Sequence, residues 1–173
     1  VIELEPDKLV GLLRSRAADH IYRSESNDNG ETWSVPVPTP LRNNNASISA
    51  IKLQSGALAI IYNDVSFNEE GSRTVWPDQR CPVAMAISED GGKTWPWRRI
   101  VEHGEGFIGP WNDVNNRRYE YPVMMQSKDG KIHAAYAWGR RVRIKYVCVD
   151  EAWIRGAKVC TGTEDNPEMP CNR

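Results

Sequence analysis

Arginine and tyrosine crowd into one stretch of this chain. Arg117 and Arg118 precede Tyr119 and Tyr121, and Arg140, Arg141 and Arg143 follow after the next apolar run. A guanidinium is planar, permanently charged and donates as a fork, so it suits a carboxylate better than any other side chain. Tyrosine offers a hydroxyl that acts as a nucleophile only beside a base, because its pKa is high. Tyr119 and Tyr121 stand two residues apart, which on a strand would put both on one face and let both line one cleft. Aromatic packing is the competing reading for the tyrosines, and ordinary surface charge for the arginines.

The rest of the composition narrows the field. Lys plus Arg is 22 against 23 for Asp plus Glu in 173 residues, a net charge of -1. No general field attracts nucleic acid or an anionic membrane, so neither is expected as a partner and any anion must be recognised locally. No run approaches the ~18 apolar residues of a membrane span, and the start Val1-Ile2-Glu3-Leu4 lacks the order of a signal peptide. None of the four cysteines sits in a Cys-x-x-Cys pair or near histidines at zinc spacing, so no metal and no cofactor is expected. Cys160 and Cys171 bracket a polar tail containing Pro167 and Pro170. A disulfide there would imply an oxidising compartment, extracellular or lumenal; two free thiols would not. Asn45-Ala46-Ser47 is a formal glycosylation sequon.

Seven Trp, six Tyr, thirteen Gly and eleven Pro, with short alternating apolar runs, predict an all-β protein. A unit of a hairpin plus a third strand recurs. One copy runs Val1 to Leu4, Lys8 to Leu13 and His20 to Ser24; the next Ser49 to Leu53, Ala57 to Tyr62 and Pro82 to Ile87. A third runs Tyr121 to Gln126, Lys131 to Trp138 and Arg143 to Val149. The first two copies lead into Ser26-Asn27-Asp28-Asn29-Gly30-Glu31-Thr32-Trp33 and Ser88-Glu89-Asp90-Gly91-Gly92-Lys93-Thr94-Trp95. In each octapeptide the Asp can accept backbone N–H bonds, Gly supplies an unusual backbone conformation, and Thr and Trp anchor the turn. Asp28 and Asp90 are therefore read as structural. Near Trp153 the third copy has lost the Ser, Asp and Gly.

Such octapeptides are Asp-boxes, and over nearly its whole length, to about Gly156, the chain resembles sialidases and related Asp-box proteins. The resemblance implies a six-bladed β-propeller with about three blades here, at roughly 1–40, 41–110 and 111–156, followed by a tail at 157–173. Insertions such as Asn63 to Gln79 account for units longer than the ~40–50 residues of compact blades. Half a ring leaves sheet edges open, so further blades or a partner chain are expected to close it.

Sialidases hold a substrate carboxylate with three arginines and attack with a Tyr activated by a Glu, with an Asp as acid/base. By resemblance Arg14, or Arg16, looks like the second arginine and Arg80 like the third. The nucleophile stretch looks like Arg118-Tyr119-Glu120-Tyr121-Pro122; residue order favours Tyr119, and the distance to Asp129-Gly130 favours Tyr121. Arg118 and Arg140 are candidate contacts to an acidic sugar. The first arginine, the Asp and the Glu are expected upstream of Val1, since Glu3 and Glu5 are out of register. The leading expectation is a glycoside hydrolase of the exo-α-sialidase type, incomplete in this segment. The alternatives are a non-catalytic propeller that binds glycan or protein, and a polysaccharide lyase on uronic acids with His133 as base.

Overall fold

The computed structural model describes residues 1–67, 80–103, 118–139 and 141–156. They form three antiparallel sheets. The first is ordered β1 (Ile2–Glu5), β2 (Lys8–Arg14), β3 (His20–Ser26), β4 (Val37–Arg42). The second repeats that order with β5 (Ser49–Lys52), β6 (Leu58–Asn63), β7 (Val83–Ser88) and β8 (Trp97–Glu102). In the third, β10 (Ile132–Trp138) lies between β9 (Glu120–Gln126) and β11 (Arg143–Val149), and the helix α1 (Glu151–Arg155) follows.

The expected hairpins and third strands are all present, and β4 and β8 are additions. Both are edge strands that close their sheets after an Asp-box. Pro38 and Pro40 disguise β4, although an edge strand tolerates proline because its outer N–H groups have no ladder to join. Arg98, Arg99 and Glu102 make β8 read as a polar loop. Where the third Asp-box has been lost the chain turns into α1, capped by Asp150, whose carboxylate accepts from Trp153 N at 2.8 Å.

The middle sheet sits between the other two. All six residues of β6 and all six of β7 are buried, because the two faces of these strands pack on different neighbours. Leu58, Ile60, Tyr62, Ala84 and Ala86 meet Val10, Ile21 and Leu41 of the first sheet. Ala59, Ile61, Val83, Met85 and Ile87 meet Met124, Ile132, Ala134 and Tyr136 of the third. Period-two alternation thus assigns each residue to one of two cores. The strands that begin the sheets are neighbours: β5 lies beside both β1 and β9, with Lys52 Nζ donating to Leu4 O and Gln54 N to Gln126 Oε1.

The outward faces of the end sheets are open to solvent. On the third sheet Val123 and Met125 are each 60% exposed and Ile144 is 78% exposed. On the first sheet Trp33 of the first Asp-box is 40% exposed, whereas its counterpart Trp95 is 5% exposed and belongs to the core between sheets one and two.

Candidate functional site

Up-and-down strands sort the connections to two ends. At one end lie the hairpin turns after β1, β5 and β9, the two Asp-boxes after β3 and β7, and α1 after β11. The other end collects the ends of β2, β4, β6, β8 and β10 and the starts of the strands that follow them. Among the described candidates, Arg14, Arg16, Arg80, Arg118, Tyr119 and Tyr121 belong to this second end.

The Asp-boxes carry out the turn-fixing role that their composition suggests. In the first, Asp28 accepts from Ser26 Oγ at 2.7 Å, Thr32 N at 2.9 Å and Thr32 Oγ1 at 2.5 Å, while Trp33 Nε1 donates to Gly30 O at 3.1 Å. The second repeats the scheme: Asp90 accepts from Ser88 Oγ at 2.7 Å and Thr94 N at 2.9 Å, and Trp95 Nε1 donates to Gly92 O at 3.1 Å. Donors from the Thr32 hydroxyl and amide and from Ser26 lower the Asp28 pKa to about 2. At Asp90 burial pulls upward, but the Thr94, Ser88 and Lys93 donors outweigh it and the pKa also falls. Both carboxylates are committed to their turns and stand at the wrong end to meet the arginines.

Tyr119 and Tyr121 do not share a face. Tyr119 precedes β9, is 0% exposed, and packs edge-on against Tyr136 with ring centroids 5.9 Å apart. Tyr121 is 57% exposed. A bulge accounts for the difference. Ala137 pairs with Glu120 and Ala135 with Val123, so β9 spends one residue more than β10 over this interval. Tyr121 takes φ 52° there, and Pro122 has no N–H to give the ladder. The same-face expectation assumed a regular strand, and the bulge re-aims Tyr121 outward.

Around Tyr121 the arginines are organised by a buried carboxylate. Glu120 is 7% exposed and accepts from Arg141 Nε at 2.6 Å and Nη2 at 3.3 Å, with Arg118 Nη2 at 3.7 Å. Arg141 Nη2 also donates to Tyr121 Oη at 3.1 Å. Arg80 joins the group through the backbone, where it bridges to Arg118, and its carbonyl accepts from Tyr119 N at 3.3 Å and Asn63 Nδ2 at 2.7 Å. Arg14 is exposed at the end of β2 and donates to Asn45 O at 3.3 Å; Arg16 is exposed in the following turn. Arg140 lies outside the described residues, as do Arg117, most of the Asn63 to Gln79 insertion, and the Cys160 to Cys171 tail.

Several groups at this end escaped the sequence reading. Asp64, 3% exposed, accepts from Arg42 Nε at 3.4 Å and Arg98 Nη1 at 3.1 Å. Asn43, Asn44 and Asn45 are all buried in the link from β4 to β5, so the sequon at Asn45 is closed to modification in the folded chain. Glu102, 8% exposed, pairs with Lys145 across sheets two and three. The run of three asparagines was the only local signal for any of these. Two other candidates are misplaced: Glu5 pairs with Lys8 at the Asp-box end, and His133 is bound there to Ser127 Oγ at 2.8 Å and Tyr146 Oη at 2.6 Å. Neither can serve a reaction at Tyr121.

The family model for the BNR repeat-like domain matches residues 1–134. The chain belongs to the BNR repeat-like family. No curated protein matches it. Among solved structures, this BNR repeat-like chain is similar to the Hadza microbial sialidase Hz136 at 20% identity and a TM-score of 0.65, covering 89% of this chain and 27% of that one. It is similar to the NanB sialidase from Streptococcus pneumoniae at 14% identity and TM-score 0.65, covering 88% and 23%. The intramolecular trans-sialidase from Ruminococcus gnavus, in complex with oseltamivir carboxylate, aligns at 22% identity and TM-score 0.60, covering 86% and 31%. The chain therefore spans less than a third of the length of these proteins and shares their fold over the aligned part.

Proposed function

We propose that the three sheets are blades of a six-bladed sialidase-type propeller, and that the chain is a segment of a glycoside hydrolase acting on acidic sugars. The observation that carries this reading is the exposed Tyr121, thrust out of β9 by a bulge and held by Arg141 at the end opposite the Asp-boxes, with Arg118 on the adjoining Glu120 and Arg80 tied to Arg118 through the backbone. In this reading Arg80 and Arg14, with Arg16 in reserve, grip the sugar carboxylate, and Arg118 and Arg140 line the same cleft. Tyr121 is the nucleophile, and Tyr119 is a core residue packed on Tyr136. The sialidase names of the structural neighbours, one of them complexed with a carboxylate ligand, support the substrate class.

A tyrosine suits this substrate because a carboxylate nucleophile would be repelled by the carboxylate at the reacting carbon. Tyr121 Oη forms a bond to the anomeric carbon as the bond to the leaving oxygen breaks. A carboxylate base takes the phenol proton and a carboxylic acid protonates the leaving oxygen; the remainder of the ring supplies both groups. The lyase alternative loses its base, since His133 is held at the far end.

A fluorogenic sialoside, assayed with the complete protein, tests the reading. Tyr121→Phe is expected to abolish turnover while Tyr119→Phe retains it, and Arg80→Ala to raise KM by roughly 10–100-fold through loss of charge-assisted hydrogen bonds. Turnover indifferent to both Tyr121→Phe and Arg80→Ala sinks the assignment. Saturable sialoside binding with no turnover in the wild type selects the binding-module reading instead.

A further inference from the structure

Six non-glycine residues among those described have positive φ: Asp7, Ala18, Asn29, Asn45, Tyr121 and Arg141. Five lie in connections between strands, where such backbone is ordinary, and Tyr121 lies inside β9. Tyr121 and Arg141, at φ 52° and 69°, also touch each other. Strained backbone of this kind persists only where the surroundings hold it. At Tyr121 the bulged pairing with β10 holds the backbone, and Arg141 holds the side chain. The Arg141 guanidinium uses Nε and Nη2 on the Glu120 carboxylate, and Nη2 also reaches Tyr121 Oη at 3.1 Å. Its Cζ stands 5.0 Å from the Tyr121 ring centroid.

We infer that Arg141 is a positioning residue that fixes the phenol of Tyr121, with buried Glu120 as its anchor. The inference rests on the reading of Tyr121 as nucleophile for its kinetic consequence, and on the geometry alone for its structural one. An exposed tyrosine on a strand rim has two free side-chain torsions. A guanidinium locked on its far side by Glu120 removes that freedom. Because the N–H of Arg141 donates to the phenol oxygen, it also leaves the phenol's own proton available to a base. The planar fork gives Nε and Nη2 to the carboxylate and Nη2 to the hydroxyl at fixed angles, whereas lysine has three donors on one freely rotating ammonium and fixes no such geometry.

The test separates position from charge and from backbone. Arg141→Gly keeps the left-handed backbone without strain and removes the guanidinium; Arg141→Lys keeps the charge and removes the fork. In protein carrying isotope-labelled tyrosine, the Tyr121 ring resonance is the one lost in Tyr121→Phe. Both Arg141 variants and Glu120→Gln are expected to shift that resonance and leave those of the buried Tyr62, Tyr119 and Tyr136 in place. A Tyr121 resonance that stays put in both Arg141 variants overturns the inference. With the fluorogenic sialoside, both variants are expected to lower kcat by about 100-fold, the scale of a small misplacement of a reacting group, with KM little changed. A loss confined to KM overturns positioning in favour of direct substrate binding. A wild type that turns over no sialoside refutes the hydrolase reading, while the resonance shift still decides this one.

Discussion

The side-chain amide of Asn63, at the end of β6, donates to the carbonyl of Tyr119 at 3.2 Å and to that of Arg80 at 2.7 Å. One buried residue of the middle sheet thus sets the spacing between the two backbone segments that deliver the candidate arginine and tyrosine. Asn63→Ala removes one donor from each carbonyl, and Arg80 O keeps the bond from Tyr119 N at 3.3 Å. We expect a loss of about 2–3 kcal/mol in urea unfolding, together with weaker sialoside binding although Asn63 belongs to neither candidate group. Unchanged stability would show that water replaces the amide without cost.

The two-sided burial of the middle sheet gives a second expectation. Ile60 and Ile61 are each 0% exposed but belong to different cores. Ile60→Ala and Ile61→Ala are both expected to cost about 2–5 kcal/mol. Val123→Ala on the open face of the third sheet should cost well under 1 kcal/mol, because little apolar area leaves the interior. Denaturant midpoints at constant m decide this, and a tolerant Ile60 would refute the packing of the first sheet on the second.

The two Asp-box tryptophans test the same stacking from the other side. Trp95→Ala, which empties the core between sheets one and two, is expected to cost about 3–5 kcal/mol, and Trp33→Ala distinctly less. Equal losses would mean that the outward face of the first sheet is covered in the protein measured.

Acid sensitivity follows from the Asp-box carboxylates. The Asp28 pKa falls to about 2, below its value of roughly 3.9 in an unfolded chain. The folded state thus binds fewer protons between those values, and stability rises with pH there. The contribution is fully present above about pH 4 and is lost as pH falls toward 2. Melting temperature should drop more shallowly across that window in Asp28→Asn than in wild type. Activity variants at Tyr121 should leave this acid limb unchanged, since the Asp-boxes lie at the opposite end.

Much of the fold was legible because its signals are local. Alternation in Leu58 to Tyr62 and Val83 to Ile87, and the Ser, Asp, Gly, Thr and Trp of each box, specify strand and turn over a few residues. Strands β4 and β8 were hidden because edge strands obey weaker rules, and Pro38, Pro40 and the charges of β8 mimic a loop. The candidate site was legible only as a neighbourhood. Tyr119 and Tyr121 could not be told apart without the bulge at Pro122, which depends on pairing with β10. Arg141 could not be singled out from its neighbours, because its role is set by Glu120, a contact made across the sheet. Buried polar groups such as Asn63 and Asp64 carry no sequence signature of their burial.

The separation of the two ends has a consequence for how such a chain can change over time. Turn geometry is secured at the Asp-box end by bonds internal to each octapeptide, so register is protected without help from the opposite rim. Exposed positions at the Tyr121 end, such as Arg16 in the turn after β2, can then exchange with little penalty to folding, whereas the buried Asn43, Asn44, Asn45 and Asn63 cannot. A lineage built on this arrangement can explore new specificities on one rim while the other keeps the strands in place.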